Sequence, residues 1–169
     1  IGTDIDQARE QRKGGSASLG EKIGANTRDE LNQANSRDFF AQANWTLGER
    51  YTLTTGARQS TVSLKSTDSY ITASNPDGSG NVDYKATSPV VGLTWHALDT
   101  LNLYINHGKG FETPTMAEAA YSVKTATTVQ GQFNPNLLAS RSKHLEIGSK
   151  WAPQPGTRID AAAFRIRTE

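Results

Sequence analysis

The stretch Gln42-Ala43-Asn44-Trp45-Thr46-Leu47-Gly48-Glu49-Arg50-Tyr51-Thr52-Leu53-Thr54-Thr55-Gly56-Ala57-Arg58 decides the fold. Ala43, Trp45 and Leu47 continue a row begun by Phe39 and Ala41 and alternate with Gln42, Asn44 and Thr46. That period of two is the mark of a strand with one apolar and one polar face. Gly48-Glu49-Arg50 reads as a tight polar turn, after which Leu53, Thr55 and Ala57 alternate with Thr54, Gly56 and Arg58. The stretch is therefore expected to be a hairpin. Outward from it the period recurs in Val91, Leu93 and Trp95, in Leu101, Leu103 and Ile105, and in Leu145, Ile147, Ser149 and Trp151. A last run sets Ile159, Ala161 and Ala163 against Asp160, Ala162 and Phe164, then Ile166, and its inward face cannot be chosen by hydropathy. A short first strand is expected around Ile1, Thr3 and Ile5. The fold class is all-β, an antiparallel up-and-down meander of about six or seven strands.

The connections carry the second clue. Gly48-Glu49-Arg50, Ala97-Leu98-Asp99-Thr100 and Ala152-Pro153-Gln154-Pro155-Gly156 are short turns. The polar stretches between them, 8–35, 66–84 and 111–141, read as long loops. Short turns on one side and long loops on the other are the pattern of an outer-membrane β-barrel. Trp45, Tyr51, Trp95 and Trp151 all stand beside short turns, where an interfacial girdle would lie. A soluble sandwich would alternate too, but would not sort its loops by length onto two ends.

Composition fits a strand-built membrane wall. Only 35% of residues are hydrophobic, and 14 Ser with 19 Thr make the chain apolar-poor for a compact domain. No run approaches the roughly 18 to 20 apolar residues of a spanning helix. A barrel satisfies its backbone between strands, so segments of about 9 to 11 residues suffice and only alternate side chains meet lipid. Arg58, Glu146 and Lys150 lie opposite the apolar rows. On the lipid face a Lys or Arg costs about 2 to 4 kcal/mol at mid-membrane, so these charges are expected to point inward. The net charge of +1 gives no nucleic-acid footprint. The absence of cysteine removes disulfides, thiolate metal sites and Cys nucleophiles. The chain opens on Ile1-Gly2-Thr3 without a basic and apolar leader and stops after a strand-like run. On that reading residues 1–169 are expected to be part of a larger barrel domain.

A family resemblance rests on specific runs. Tyr104 followed by Asn106-His107-Gly108-Lys109-Gly110-Phe111-Glu112-Thr113-Pro114-Thr115-Met116-Ala117-Glu118 resembles the Y-x-x-x-G-[KR]-G-F-x-x-P-T-x-x-E run of TonB-dependent outer-membrane receptors, siderophore-receptor type. Asn134-Pro135-Asn136-Leu137 with Ser142 to Trp151 is similar to that family's N-P-x-L … S-x-x-x-E-x-G-x-K stretch. The hairpin 42–58 resembles its W-x-L and L-x-x-G-x-R pair. Leu138-Ala139-Ser140-Arg141 departs from the family's Lys-Pro-Glu-like step. The matches occur in family order over about 39–167. The resemblance implies a 22-stranded barrel in the outer membrane of a Gram-negative cell, with a plug domain and C-terminal closing strands not contained in this sequence. It implies a ferric siderophore as cargo, the TonB complex as a partner reached through the plug, and outer-membrane lipid around the wall. No resident cofactor is expected, and iron would enter only as part of a bound chelate.

Several residues are candidates for function. An iron chelate would be held by rings and cations through stacking and ion pairing. Tyr70, Tyr84, Phe111, Tyr121 and Phe133, with Lys124, Lys65 and Lys85, lie in or beside the long stretches. Each also has a structural reading in which the aromatics pack loop against loop. Gly108, Gly110 and Pro114 are expected to serve backbone geometry at a strand-to-loop transition, and Pro114 to Ser122 is expected to form two short turns of helix. Glu146, Lys150 and Arg58 are expected to pair with neighbouring strands or the plug. His96, His107 and His144 lack metal-ligand spacing. Asp77, Asn81 and Asp83 miss the spacing of a calcium loop, so 73–83 reads as a mobile loop tip. No G-x-S-x-G nucleophile motif occurs, so an enzyme is not expected. A passive porin, a barrel adhesin and a barrel enzyme using His107 or Glu146 are the alternatives.

Overall fold

The structure, a computed structural model, describes residues 1–120, 122–125 and 128–169, and the side chains of these except 122–125 and 128–132. Seven strands form one antiparallel meander: β1 Gly2–Ser18, β2 Glu21–Leu47, β3 Tyr51–Asp68, β4 Gly80–Leu98, β5 Leu101–Glu112, β8 Ser140–Gln154 and β9 Thr157–Thr168. Each pairs with the next in that order. Between β5 and β8 lie a single helical turn, α1 Met116–Ala120, and a small hairpin, β6 Ser122–Thr125 with β7 Thr128–Gln132. No helix among the described residues is long and apolar enough to cross a membrane.

The register gives the wall a simple rule. Trp45 stands opposite Leu53, Leu53 opposite Leu93, Leu93 opposite Ile105, and Ile105 opposite Ile147. Opposed residues share a face, and faces alternate along a strand. Up to the bulge at Gly14–Ser16 in the β1–β2 ladder, and away from the register shifts at His96–Leu98 and Trp151–Gln154 in the others, every opposed pair has numbers of one parity. In these ladders odd-numbered residues therefore share one face and even-numbered residues the other; Phe111, near the end of β5, is the exception, since its ring packs against the inner cluster. The buried wall residues Asn32, Asp38, Ser60, Leu64, Ser66, Tyr84 and Ala86 are all even, so the even face is the covered, inner one. The rule also settles β9: Ile159 shares the outer face with Trp151, while Asp160 and Phe164 share the inner face with Lys150 and Glu146.

The outer face is the apolar one near the short turns. Trp45, Tyr51, Trp95 and Trp151 are all odd and exposed there. Tyr51 and Trp95 stack with ring centroids 6.4 Å apart, and Trp45 Nε1 donates to Thr55 Oγ1 at 3.1 Å. Rings with one wet edge are suited to a membrane interface.

Three expectations change. Residues 8–35 are not a loop: β1 runs 17 residues and β2 runs 27, turning at Leu19-Gly20. The stretch lacks an apolar row because no lipid faces it. The ladder instead joins Lys13 to Asp29 across the two strands at 3.8 Å, and Arg28 meets Glu30 along β2 at 3.1 Å. Residues 66–84 contract to a loop over 69–79. Asp68 closes it by accepting from Tyr70 N at 2.8 Å and Gly78 N at 3.2 Å, while Asp77 accepts from Ser79 N at 2.8 Å. The Ser79 hydroxyl and amide hold the Asp77 carboxyl below its usual pKa. The helix expected over 114–122 is one turn, because the chain has returned to extended backbone by Ser122.

Candidate functional site

Two inner-face clusters and one inward-folded segment make the candidate site. The first cluster is built on Arg58 of β3, which meets Asp38 of β2 at 2.5 Å and Asp4 of β1 at 3.1 Å. Phe40, also inward, lies against the Arg58 guanidinium at 5.8 Å from ring centre. The ring has room because position 2 is glycine: a Cβ there would collide with it. Asp38 is only 6% exposed, and a buried carboxylate needs its cation. Asp38 and Arg58, together with Ser36, Ser60 and Phe111, border an inner cavity of about 330 Å³.

The second cluster sits on β5 and β8. Tyr104 donates its hydroxyl to Glu146 Oε1 at 2.6 Å, and Lys150 Nζ lies 5.5 Å from the Tyr104 ring centre. Gly148 lies under that ring, where a Cβ would meet Tyr104 Cζ at 2.5 Å and Ala161 O at 2.7 Å. Nearer the short turns, His96 bridges Thr52 at 3.0 Å and Asn102 at 2.6 Å. Arg58, Glu146 and Lys150 are thus all on the inner face, but Arg58 belongs to a different cluster from the other two. Tyr104, Asp4 and Asp38 are the members that hydropathy reading misses. The signal for Asp4 and Asp38 is parity along strands whose register is already known, and for Tyr104 its place at the head of the run 104–118.

The described residues of 113–120 and 133–139 fold back onto the inner face. Ala119, Ala120 and Phe133 pack on Leu64 and Tyr84, with Val62, Phe111 and Leu137 at the margin. Phe133, 4% exposed, lies directly on Gly80, where a Cβ would come within 2.5 Å of the ring. Tyr84 donates to Leu137 O at 3.0 Å, and Asn134 N donates to Ala119 O at 2.7 Å. The helical turn has a capping box: Glu118 N donates to Thr115 Oγ1 at 3.2 Å, and Glu118 Oε2 accepts from Thr115 N at 2.8 Å. Those bonds, the Thr115 amide first and its hydroxyl second, hold the Glu118 carboxyl below its usual pKa.

The remaining expected site residues fall as follows. Tyr84, Phe111 and Phe133 are brought together by the inward segment, and Tyr70 stands apart in the 69–79 loop. Tyr121 and the Lys124 side chain lie outside the described residues. Pro114 precedes the cap residue Thr115 instead of opening the helix. Gly108 and Gly110 do not have the left-handed φ that backbone freedom would serve; the positive-φ glycines are Gly20, Gly24, Gly48 and Gly156. At Gly110 the requirement is space, since a Cβ would strike Ser142 Oγ and come 3.1 Å from His144 Nε2, whereas at Gly108 only ordinary contact would follow. Among the described residues no group of three or more His, Cys, Asp or Glu is placed to hold a metal ion.

The inner charges, the outer apolar girdle and the inward segment describe one sector of a membrane barrel wall. The family model for the TonB-dependent receptor-like β-barrel matches residues 2–169. The chain belongs to the TonB-dependent receptor-like β-barrel family, outer-membrane receptors of the transport class.

Proposed function

We propose that the receptor takes up a ferric siderophore across the Gram-negative outer membrane, using energy delivered by the TonB complex. The observation that carries this reading is that the chain leaves the wall after β5 and turns inward, residues 116–120 and 133–139 packing on β3 and β4. A chelate arriving from outside meets that segment first. Ferric catecholates and hydroxamates present rings and negative oxygens, which aromatic faces and cations hold. Tyr70, Tyr121 and Lys124 are the proposed first contacts. Tyr84, Phe111 and Phe133 reach a chelate only once the packing on Leu64 loosens. Iron is cargo in this scheme, with no resident cofactor, and the barrel performs no covalent chemistry. Arg58, Glu146 and Lys150 are proposed to meet the domain that fills the lumen.

The test is uptake of iron-labelled siderophores by cells with and without the intact receptor. Chelate-specific accumulation that stops when the inner-membrane proton gradient is collapsed is the expected result. Equal iron accumulation with and without the receptor, over catecholate and hydroxamate panels, would remove the siderophore reading. Accumulation indifferent to the proton gradient would point to a passive pore.

A further inference from the structure

The register sorts charge between the two faces of the wall. Of the Lys and Arg on β3, β4 and β5, only Arg58 is even-numbered and faces the lumen. Lys65, Lys85 and Lys109 are odd-numbered and exposed. The first two, considered above as chelate contacts, therefore point away from the lumen. Around Arg58 the inner face is acidic. Asp4 and Asp38 both pair with it, and Asp6 accepts from Ser36 Oγ at 3.4 Å. Asp6 is opposite Ser36, which places it one diagonal step from Asp38. Three carboxylates are thus set against one guanidinium. Arg12 and Arg28, the next cations up the same face, stand beside Glu30.

One oxygen of the cluster has no donor. Asp38 is more than nine-tenths buried, and its Oδ2 meets Arg58. Its Oδ1 is shielded from water and has no hydrogen-bond partner, and among the described residues it is the one buried side-chain oxygen or nitrogen in that state. Such an oxygen is rare, because nothing offsets its lost hydration. The cavity of about 330 Å³ that Asp38 borders is rich in hydroxyls, with Ser36, Ser60, Ser88 and Thr113 around it. Ser60 is directly opposite Asp38 on the ladder. The cavity suits a small group that brings N–H donors and positive charge.

Its height is set by the register. Asp38 is seven residues up β2 from Trp45 of the girdle, about 23 Å along the strand and about 18 Å along the membrane normal at ordinary barrel tilt. The apolar band of a barrel is about 25 Å tall, so the cavity lies in the outward half of the lumen, on the side from which cargo arrives. A metal ion fits it poorly. Arg58 holds the other carboxylate oxygen, and no group of three acidic, His or Cys ligands surrounds it among the described residues. A protonated amine has three donors on one charge, enough for Asp38 Oδ1 and two of the hydroxyls. An anionic group would stand among like charges.

We propose that the cavity at Asp38 binds a protonated amine of the cargo. Within the siderophore reading, on which this rests, the receptor then selects ferric hydroxamates that carry an ammonium group. Three singly charged hydroxamates neutralise ferric iron, so the ammonium makes such a chelate a cation. Three doubly charged catecholates leave their iron complex an anion, which the acidic face around Arg58 disfavours.

The full-length receptor in detergent is dialysed to equilibrium against a linear ferric trihydroxamate with one primary amine, and separately against the same chelate N-acetylated. Acetylation removes the charge and leaves the iron coordination as it was. Bound radioiron gives the two affinities. The free amine should bind at least about tenfold tighter, the step that one charge-assisted hydrogen bond makes. A ferric tricatecholate, offered third, should bind least. Asp38→Asn should lose the preference for the amine and keep the affinity for the acetylated chelate. If Asp38→Asn fails to fold, judged by heat-modifiable migration, Ser36→Lys serves, since it leaves the Asp38–Arg58 pair intact and sets a tethered ammonium at the border of the cavity. Ser36→Lys should lose the preference and Ser36→Gln should keep it. Equal affinity for the amine and its acetylated form, or a preference that survives in folded Asp38→Asn or Ser36→Lys, overturns the proposal and leaves the siderophore reading standing. So does binding of the tricatecholate alone. Binding of none of the three chelates removes the siderophore reading as well.

Discussion

At the scale of single residues the inner face is organised by glycines that make room for neighbours. Gly148 lets the Tyr104 ring lie flat against β8, where its hydroxyl reaches Glu146 and its face meets Lys150. Gly148→Ala should displace that ring and loosen all three, costing about 1 to 3 kcal/mol as an overpacked contact. The measurement is the unfolding midpoint of the folded receptor in detergent; an unchanged midpoint would mean that Tyr104 simply rotates away. Gly80 serves Phe133 in the same manner, so Gly80→Ala should free the 113–139 segment without touching the barrel wall. Faster proteolysis within 113–139 at an unchanged unfolding midpoint is the expected outcome. Neither glycine stands out in the sequence, because the reason for it is a ring on another strand. The same holds for Asp4 and Asp38, whose partner Arg58 is 54 and 20 positions away.

At the scale of elements, α1 is too short to persist by itself and depends on its cap and its packing. Thr115→Ala removes the side-chain acceptor for Glu118 N and should cost the turn about 1 kcal/mol. The reciprocal bond depends on pH with a definite sign. The Glu118 carboxyl lies below its usual pKa in the folded turn, so its contribution is complete above the ordinary Glu value of 4.5 and is lost as pH falls through the lower, folded value. Hydrogen exchange of residues 116–120 should therefore show protection steady from pH 7 to about 5 that declines below it, and the decline should be absent in Glu118→Gln. Elements also show what hydropathy can and cannot reveal. The strands were legible wherever lipid imposes an apolar row, as in Phe39 to Leu47 and Leu145 to Trp151. They were illegible where both faces meet water, as in Arg9 to Ser18 and Lys22 to Asn35, because polar cross-strand pairs leave no period in hydropathy. The turns Gly48–Arg50 and Pro155-Gly156 were legible because their chemistry is local. The inward segment was not, since Phe133 on Gly80 and Tyr84 on Leu137 join positions 53 apart.

For the molecule as a whole, the decisive property is that one rule of parity holds from β1 to β9. It follows from ladders that slip by an even number at each turn, so that seven strands expose one set of side chains to lipid and the other to the lumen. Strands β1 and β9 each have one unpaired edge, and lipid does not tolerate unpaired backbone. The seven strands therefore need further strands to close them, and isolated residues 1–169 should aggregate or pair edge to edge when refolded in detergent, a result that size-exclusion chromatography would register. The rule itself is open to a sharper test with two lysines. Ile147 is odd, exposed and four residues from the Trp151 girdle, near the middle of the apolar band. Asn106 is even and faces Glu146 across the ladder on the inner side. Ile147→Lys places a charge in hydrocarbon and should lower the folding free energy of the receptor in a bilayer by about 2 to 4 kcal/mol. Asn106→Lys, at almost the same height, meets a carboxylate in a polar lumen and should change it by less than about 1 kcal/mol. Folding in vesicles, followed by tryptophan fluorescence over a denaturant series, compares the two directly. Equal costs would mean that odd and even positions do not separate lipid from lumen.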